Sequence, residues 1–293
     1  MEEEVADFGL FGPESMAWKV HAHPSGWVGA IRALLLQALE PRAMAGVAQF
    51  SRYSEDVWRR FSTTSEFIMT VTYRPRMEAE AAIALVRTIH DSIVGTDPHT
   101  NRPFSANDPY LLAYIHNCLV DSLLVSYVNF AGRLSIAEQD RYVAEMYLLA
   151  ELIGADTDEV PKMSVDLSNW LGSSRELVLT DEARLAAEAI KNINLPVYLQ
   201  PAWSIAWHAS LAIMPSYALE LYGFEVDPGP RMFHKELACI IAWALKTAIP
   251  SHPYYRQAKY AYYDLYATTS KVDCLSWSEH LLKDLSSIGG SKR

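Results

Sequence analysis

Residues 108–132 read DPYLLAYIHNCLVDSLLVSYVNFAG, and this stretch decides the fold class. Asp108 suits a helix N-cap, where its carboxylate accepts from free backbone N–H groups, and Pro109 suits the first helical position, where no N–H is required. From there the chain stays mostly apolar to Ala131 and meets Gly132. A bilayer helix needs roughly 20 such residues, so the length alone would serve. However, His116, Asn117, Asp121, Ser122 and Asn129 punctuate the run. Groups of this kind are costly in lipid, so the stretch reads as the buried central helix of a helical protein.

The flanking sequence follows the same period. Residues 27–39 are rich in Ala and Leu, which lose little entropy in a helix, but they contain Arg32 and are too short to span a bilayer. Pro41 opens a helix to residue 48. Ser54 and Asp56 precede another over 57–73, and Pro75 separates it from the next. In 76–94 the positions Ala79, Ile83, Val86, His90 and Val94 recur every three or four residues and form one face. Gly95 is expected to cap that helix, and 95–107 is expected to be a loop.

Downstream, Ser135 and Glu138 form a capping box that opens a helix to Ile153, closed by Gly154. Further helices are expected over 180–191, 203–213, 215–221, 230–248 and 254–268. No stretch alternates in the strand period, and no repeat or low-complexity linker is present. The expected architecture is all-α: an N-terminal tail (1–14), a single multi-helix domain (15–270) and a polar C-terminal tail (271–293). Residues 156–161 are expected to be a loop within that domain.

The balance of charge narrows the partners. There are 25 Lys and Arg against 35 Asp and Glu in 293 residues, a net charge of −10. Phosphate binding needs a clustered basic face, so nucleic acid is not an expected partner. Cys118, Cys239 and Cys274 are far apart and odd in number, which points to reduced thiols. The chain starts Met-Glu-Glu-Glu, unlike a secretory signal with its basic start and apolar core. A cytoplasmic location without stable membrane insertion is the expectation; the oligomeric state is not readable.

Several chemistries lack their motifs. There is no GxxxxGK(S/T) phosphate loop, no GxGxxG, no GxSxG elbow and no HExxH. What remains is histidine and arginine among apolar helices. His90 and His116 each fall among apolar residues, where an imidazole is either a satisfied core group or an axial ligand to haem iron. Arg60 and Thr64, four apart, share a helix face. A buried guanidinium needs an anion, which Asp56, Glu66 or a haem propionate could supply. His21 and His23 are weaker candidates, and His208 and His234 have no obvious companion.

Four ordered stretches carry a resemblance. They are residues 23–47, with His23-Pro24, the run from Leu34 to Pro41 and Ala45-Gly46-Val47; residues 60–73, with Arg60-Phe61-Ser62-Thr63-Thr64; VRTIHDSIVG at 86–95; and RPFSANDP at 102–109, leading to Tyr114-Ile115-His116. Over about residues 15–225 the chain resembles the rubber oxygenase (latex-clearing protein) and ER-bound oxygenase catalytic-domain family. That resemblance implies a globin-like helical core and a b-type haem with one proximal histidine, which falls on His90. It places the arginine and threonine of the distal motif on Arg60 and Thr64, and leaves His116 a pocket role. The rubber oxygenases carry a lysine where this chain has Thr63. The implied activity is haem-dependent oxygenation or oxidation, with dioxygen, of an apolar isoprenoid, lipid or natural-product intermediate. The alternative is a non-catalytic protein that binds haem or an apolar small molecule.

Overall fold

The computed structural model describes residues 7–51, 57–173, 176–195, 197–224, 236, 239 and 252–270. Among these the helices are α1 (Met16–His21), α2 (Gly26–Gln37), α3 (Pro41–Phe50), α4 (Val57–Tyr73), α5 (Arg76–Asp91), α6 (Pro109–Phe130), α7 (Ile136–Ile153), α8 (Ser164–Gly172), α9 (Asp181–Lys191), α10 (Gln200–Ala212), α11 (Ser216–Tyr222) and α12 (Pro253–Ser270). The fold is all-α, as the periodicity indicates. Residues 52–56, 271–293, most of the expected 230–248 helix and His234 lie outside the described residues.

Helix α6 is the central element. Asp108 caps it by accepting from the N–H groups of Tyr110 and Leu111. It is long and apolar enough to cross a membrane, but 78% of its apolar window is buried in protein. The polar residues that punctuate it explain why. Arg32 of α2 pairs with Asp121 at 2.7 Å and donates to Ser122 Oγ at 2.6 Å and to the Ile213 carbonyl at 3.0 Å. Asn117 donates to the Glu159 carbonyl and Ser126 to the Ser25 carbonyl. Arg32, Asp121, Ser122 and Ser126 thus have protein partners, so desolvating them carries a smaller cost, whereas Asn117 Oδ1 and the His116 ring have none among the described residues.

Helix α2 lies along α6 at close range. A Cβ on Gly29 would stand 2.8 Å from the Ser122 carbonyl oxygen, so only glycine lets the backbones approach this closely. The main core joins α2, α4 and α6 to α8–α11, through residues such as Ile31, Leu35, Phe61, Tyr114, Ile190, Trp203 and Trp207. A second core gathers α1, α4, α5, α6 and α7 around Val71, Ile83, Val120, Tyr142 and Met146. The capping box of Ser135 and Glu138 opens α7, and Gly154 closes it with φ of 85°.

Three local expectations are corrected. Helix α5 ends at Asp91 rather than at Val94, because residues 94–96 pair antiparallel with 103–105 as a two-stranded ladder, β1 and β2. Three residues per strand are too few to show an alternating pattern. Gly95 is therefore a strand residue and not a helix cap: its Cβ would meet Phe104 Cζ and Gln49 Oε1, each at 2.8 Å. Helices α1 and α8, of 6 and 9 residues, were not expected from the sequence.

Helix α5 is also less dry than its spacing suggests. Ala79 and Ile83 are buried, His90 and Val86 are half-buried, and Val94 is 54% exposed. Neither Cys118 nor Cys239 is in a disulfide among the described residues, and Cys274 lies outside them.

Candidate functional site

A half-open cavity of about 100 Å³ lies between α2, α4 and α6. That is smaller than the roughly 300–1,000 Å³ of sites for drug-sized ligands, so the closed part holds only a small apolar group. Its walls are Ala30 and Leu34 of α2, Phe61 and Ile68 of α4, and Leu119 and Leu123 of α6. Polar groups are few: His21, His23, Gln37, Thr64 and Ser65. Gln37 donates to the Ile115 carbonyl at 3.0 Å, and its Oε1 accepts nothing from the described residues. Such a chamber accommodates an apolar molecule with one hydrogen-bonding group.

The two cavity histidines are committed to the protein. Thr72 Oγ1 donates to the Ile68 carbonyl, so it accepts from His21 Nδ1–H at 2.8 Å. His21 Nε2 then accepts from the Tyr142 hydroxyl at 3.0 Å. Both ring nitrogens are used, and burial depresses the pKa to about 3. His23 Nδ1 accepts from the Ser25 backbone N–H at 3.2 Å, so the proton of its neutral ring sits on Nε2. Neither ring offers a lone pair to a metal as it stands.

His90 and His116 differ from them. His90 Nδ1 is buried and makes no hydrogen bond of good geometry. Burial lowers the His90 pKa, opposed by the nearby Asn107 side chain, the Ala106 backbone and the Asp91 charge. Asn107 is held by donating to the Arg87 carbonyl and to Asp91. His116 is buried on α6, one turn before the cavity residue Leu119. Burial depresses its pKa to about 4, and its ring has no hydrogen-bond partner among the described residues.

Arg60 is half-buried on α4, one turn before Thr64. Its Nη1 donates to Ser51 Oγ at 2.7 Å, and no carboxylate pairs with it among the described residues. The sequence offered Glu66 as partner, but Glu66 faces His252 at 3.4 Å; Asp56 lies outside the described residues. Burial lowers the Arg60 pKa, with no neighbouring charge to oppose it. A half-buried guanidinium is suited to an anionic partner, and none is present among the described residues.

The arrangement brings part of the sequence-derived set together. Only Thr64 lines the cavity; Arg60, His90 and His116 do not. Arg74 and Pro75 alone join α4 to α5, so α5 folds back along α4, and Arg60 near the start of one shares an end of the hairpin with His90 near the end of the other. Helix α3 ties that end together: Ser51 takes the Arg60 bond, Gln49 donates to the Thr96 carbonyl, and Gly46 abuts Ile93. Spacing gave no signal for the cavity residues Gln37, Trp27 and Phe61, whose partners come from other helices.

The residues present fit a haem in chemical type. An imidazole with a buried nitrogen, a guanidinium with no carboxylate partner among the described residues and an apolar chamber are the parts that such a group uses. No group of three or more metal-ligating residues occurs among the described residues. A haem iron requires only one protein ligand, so the two observations agree.

Over residues 18–244 the chain matches the domain described as ER-bound oxygenase mpaB/B'/Rubber oxygenase, catalytic domain. No curated protein and no solved structure matches it. The match corrects the expected cytoplasmic location: the family is described as ER-bound, which points to membrane association. The acidic opening residues were the basis of that expectation, and they do not bear on how a folded protein meets a membrane. The family is a haem-binding class of oxygenases, and its activity is haem-dependent oxygenation or oxidation of an apolar substrate. With more than half its length matched, and with an apolar chamber among its helices, the chain belongs to the mpaB/rubber oxygenase catalytic-domain family of oxidoreductases.

Proposed function

We propose that the chain is a haem-b oxygenase or oxidase in which His90 holds the iron and the cavity between α2, α4 and α6 holds an apolar isoprenoid, lipid or natural-product intermediate. The observation that carries this reading is the half-buried His90, whose buried Nδ1 is held by no hydrogen bond of good geometry and lies beside Asn107 and Ala106. Once Nε2 is a ligand, Nδ1 carries the proton, and the Asn107 side chain and Ala106 backbone beside it are its available acceptors. A donated Nδ1–H orients the ring and raises its basicity toward a metal.

Arg60, which pairs with no carboxylate among the described residues, supplies a positive charge for a propionate. Thr64, on the cavity wall one turn later, presents a hydroxyl to dioxygen or substrate. His116, neutral at ordinary pH and dry, lends a polar edge one turn from the chamber. Bound haem supplies the activation of dioxygen, and the protein supplies orientation and access. The apolar walls exclude water from the reacting region, and Gln37 Oε1 can accept from a substrate hydroxyl.

The visible spectrum tests this assignment. Wild type expressed with a haem precursor is expected to show a Soret band that shifts on dithionite reduction, and His90→Ala is expected to lose most of its haem. An unchanged haem content and spectrum in His90→Ala would remove His90 as the ligand.

A further inference from the structure

Three aromatic rings stand nearly parallel, two of them, Trp27 and Phe61, on the cavity wall and the third, Trp58, beside them. Trp27 stacks on Phe61 with centroids 5.0 Å apart and planes 17° apart. Trp58 lies 5.7 Å from Trp27 at 16° and 6.2 Å from Phe61 at 9°. The array is fixed from behind. Phe61 is buried and meets Trp203 edge-on at 5.8 Å, and Trp203 is held by its indole N–H donating to the Ile190 carbonyl at 2.9 Å. Toward solvent the array is open, with Trp27 42% and Trp58 40% exposed.

Large exposed indoles normally need a reason, because each leaves substantial apolar area in water. These two rise from the first turns of separate helices, α2 and α4, and Trp27 and Phe61 both line the chamber. An aliphatic wall would bury the same area for any apolar ligand. Parallel ring faces add a preference for flat π-systems, which stack in offset geometry on the ring quadrupole.

We propose that Trp27 and Trp58, with Phe61, form an entrance subsite that selects flat, conjugated ring compounds over puckered or aliphatic ones of equal carbon count. This rests on the cavity being the substrate chamber. The first contact is made by the two exposed indoles, and the ligand slides along Phe61 toward Thr64 and Gln37. A hydroxyl on its leading edge finds the open Gln37 Oε1.

The test uses the haem-loaded full chain in equilibrium dialysis with two probes, 2-naphthol and decahydro-2-naphthol. They share a carbon skeleton and a hydroxyl and differ in flatness. Wild type is expected to bind 2-naphthol about two- to tenfold more tightly, the range that one ring stack supplies. Trp27→Leu and Trp58→Leu are expected to bring the two affinities together while still binding the saturated probe. Trp27→Phe, which keeps a ring face, is expected to retain the preference.

Equal affinities in wild type, or a preference that survives in both leucine variants, would overturn the subsite and leave the chamber standing. Binding of neither probe would overturn the chamber and the subsite together. A preference present only in haem-free protein would assign the ring wall to the porphyrin and overturn the subsite.

Discussion

His21 and His116 show how burial decides a histidine's charge. Both are neutral when folded, with pKa values depressed from 6.5 to about 3 and about 4 by loss of solvent. Above pH 6.5 neither state binds the proton, and stability is indifferent to these rings. Below it, the unfolded chain takes up a proton on each ring that the folded chain refuses. The unfolded state therefore gains as pH falls from about 6.5 toward 4, by about 1.4 kcal/mol per pH unit for each ring. Urea unfolding at pH 7.5, 6 and 5 should show this loss, and His21→Gln should show a shallower dependence than wild type. A stability that does not change between pH 7.5 and 5 would mean that the rings are solvated. At this scale the sequence singled out His90, His116, Arg60 and Thr64. It ranked His21 low because its partners, Thr72 and Tyr142, are 51 and 121 residues away.

The α2–α6 pair is where element and energy meet. Arg32 and Asp121 are both almost fully buried, and the guanidinium also serves Ser122 and the Ile213 carbonyl. Arg32→Leu strands a carboxylate in the core and should cost about 3–5 kcal/mol in urea unfolding. The double replacement Arg32→Leu with Asp121→Leu should recover much of that loss, since no charge then remains unpaired. A single variant as stable as wild type would refute the role of the pair. Helix identities were legible here because caps are local: Asp108, Ser135 and Thr180 each bond backbone within three residues. The β1–β2 ladder was not legible, because its stability comes from Phe104 packing on Gly95 and Gly46 and not from strand pattern.

At the scale of the whole molecule, the cavity is the space left where the α4–α5 hairpin, α2 and α6 meet. Filling it should abolish ligand uptake with little effect on folding. Ala30 is half-buried on its wall, so Ala30→Phe is expected to weaken decahydro-2-naphthol binding at least about tenfold by occupying the chamber, with a thermal midpoint within a few degrees of wild type. Unchanged binding in a folded variant would place the ligand elsewhere. Helical class and most helix boundaries are properties of neighbouring residues, so periodicity and capping chemistry were enough to determine them; the family likeness rests on the ordered motifs themselves. Which imidazoles are satisfied, where Arg60 finds a partner and which rings face one chamber depend on residues brought together from distant parts of the chain. Hydrogen-bond completion and burial are set by three-dimensional neighbours, and only the tertiary structure decided them.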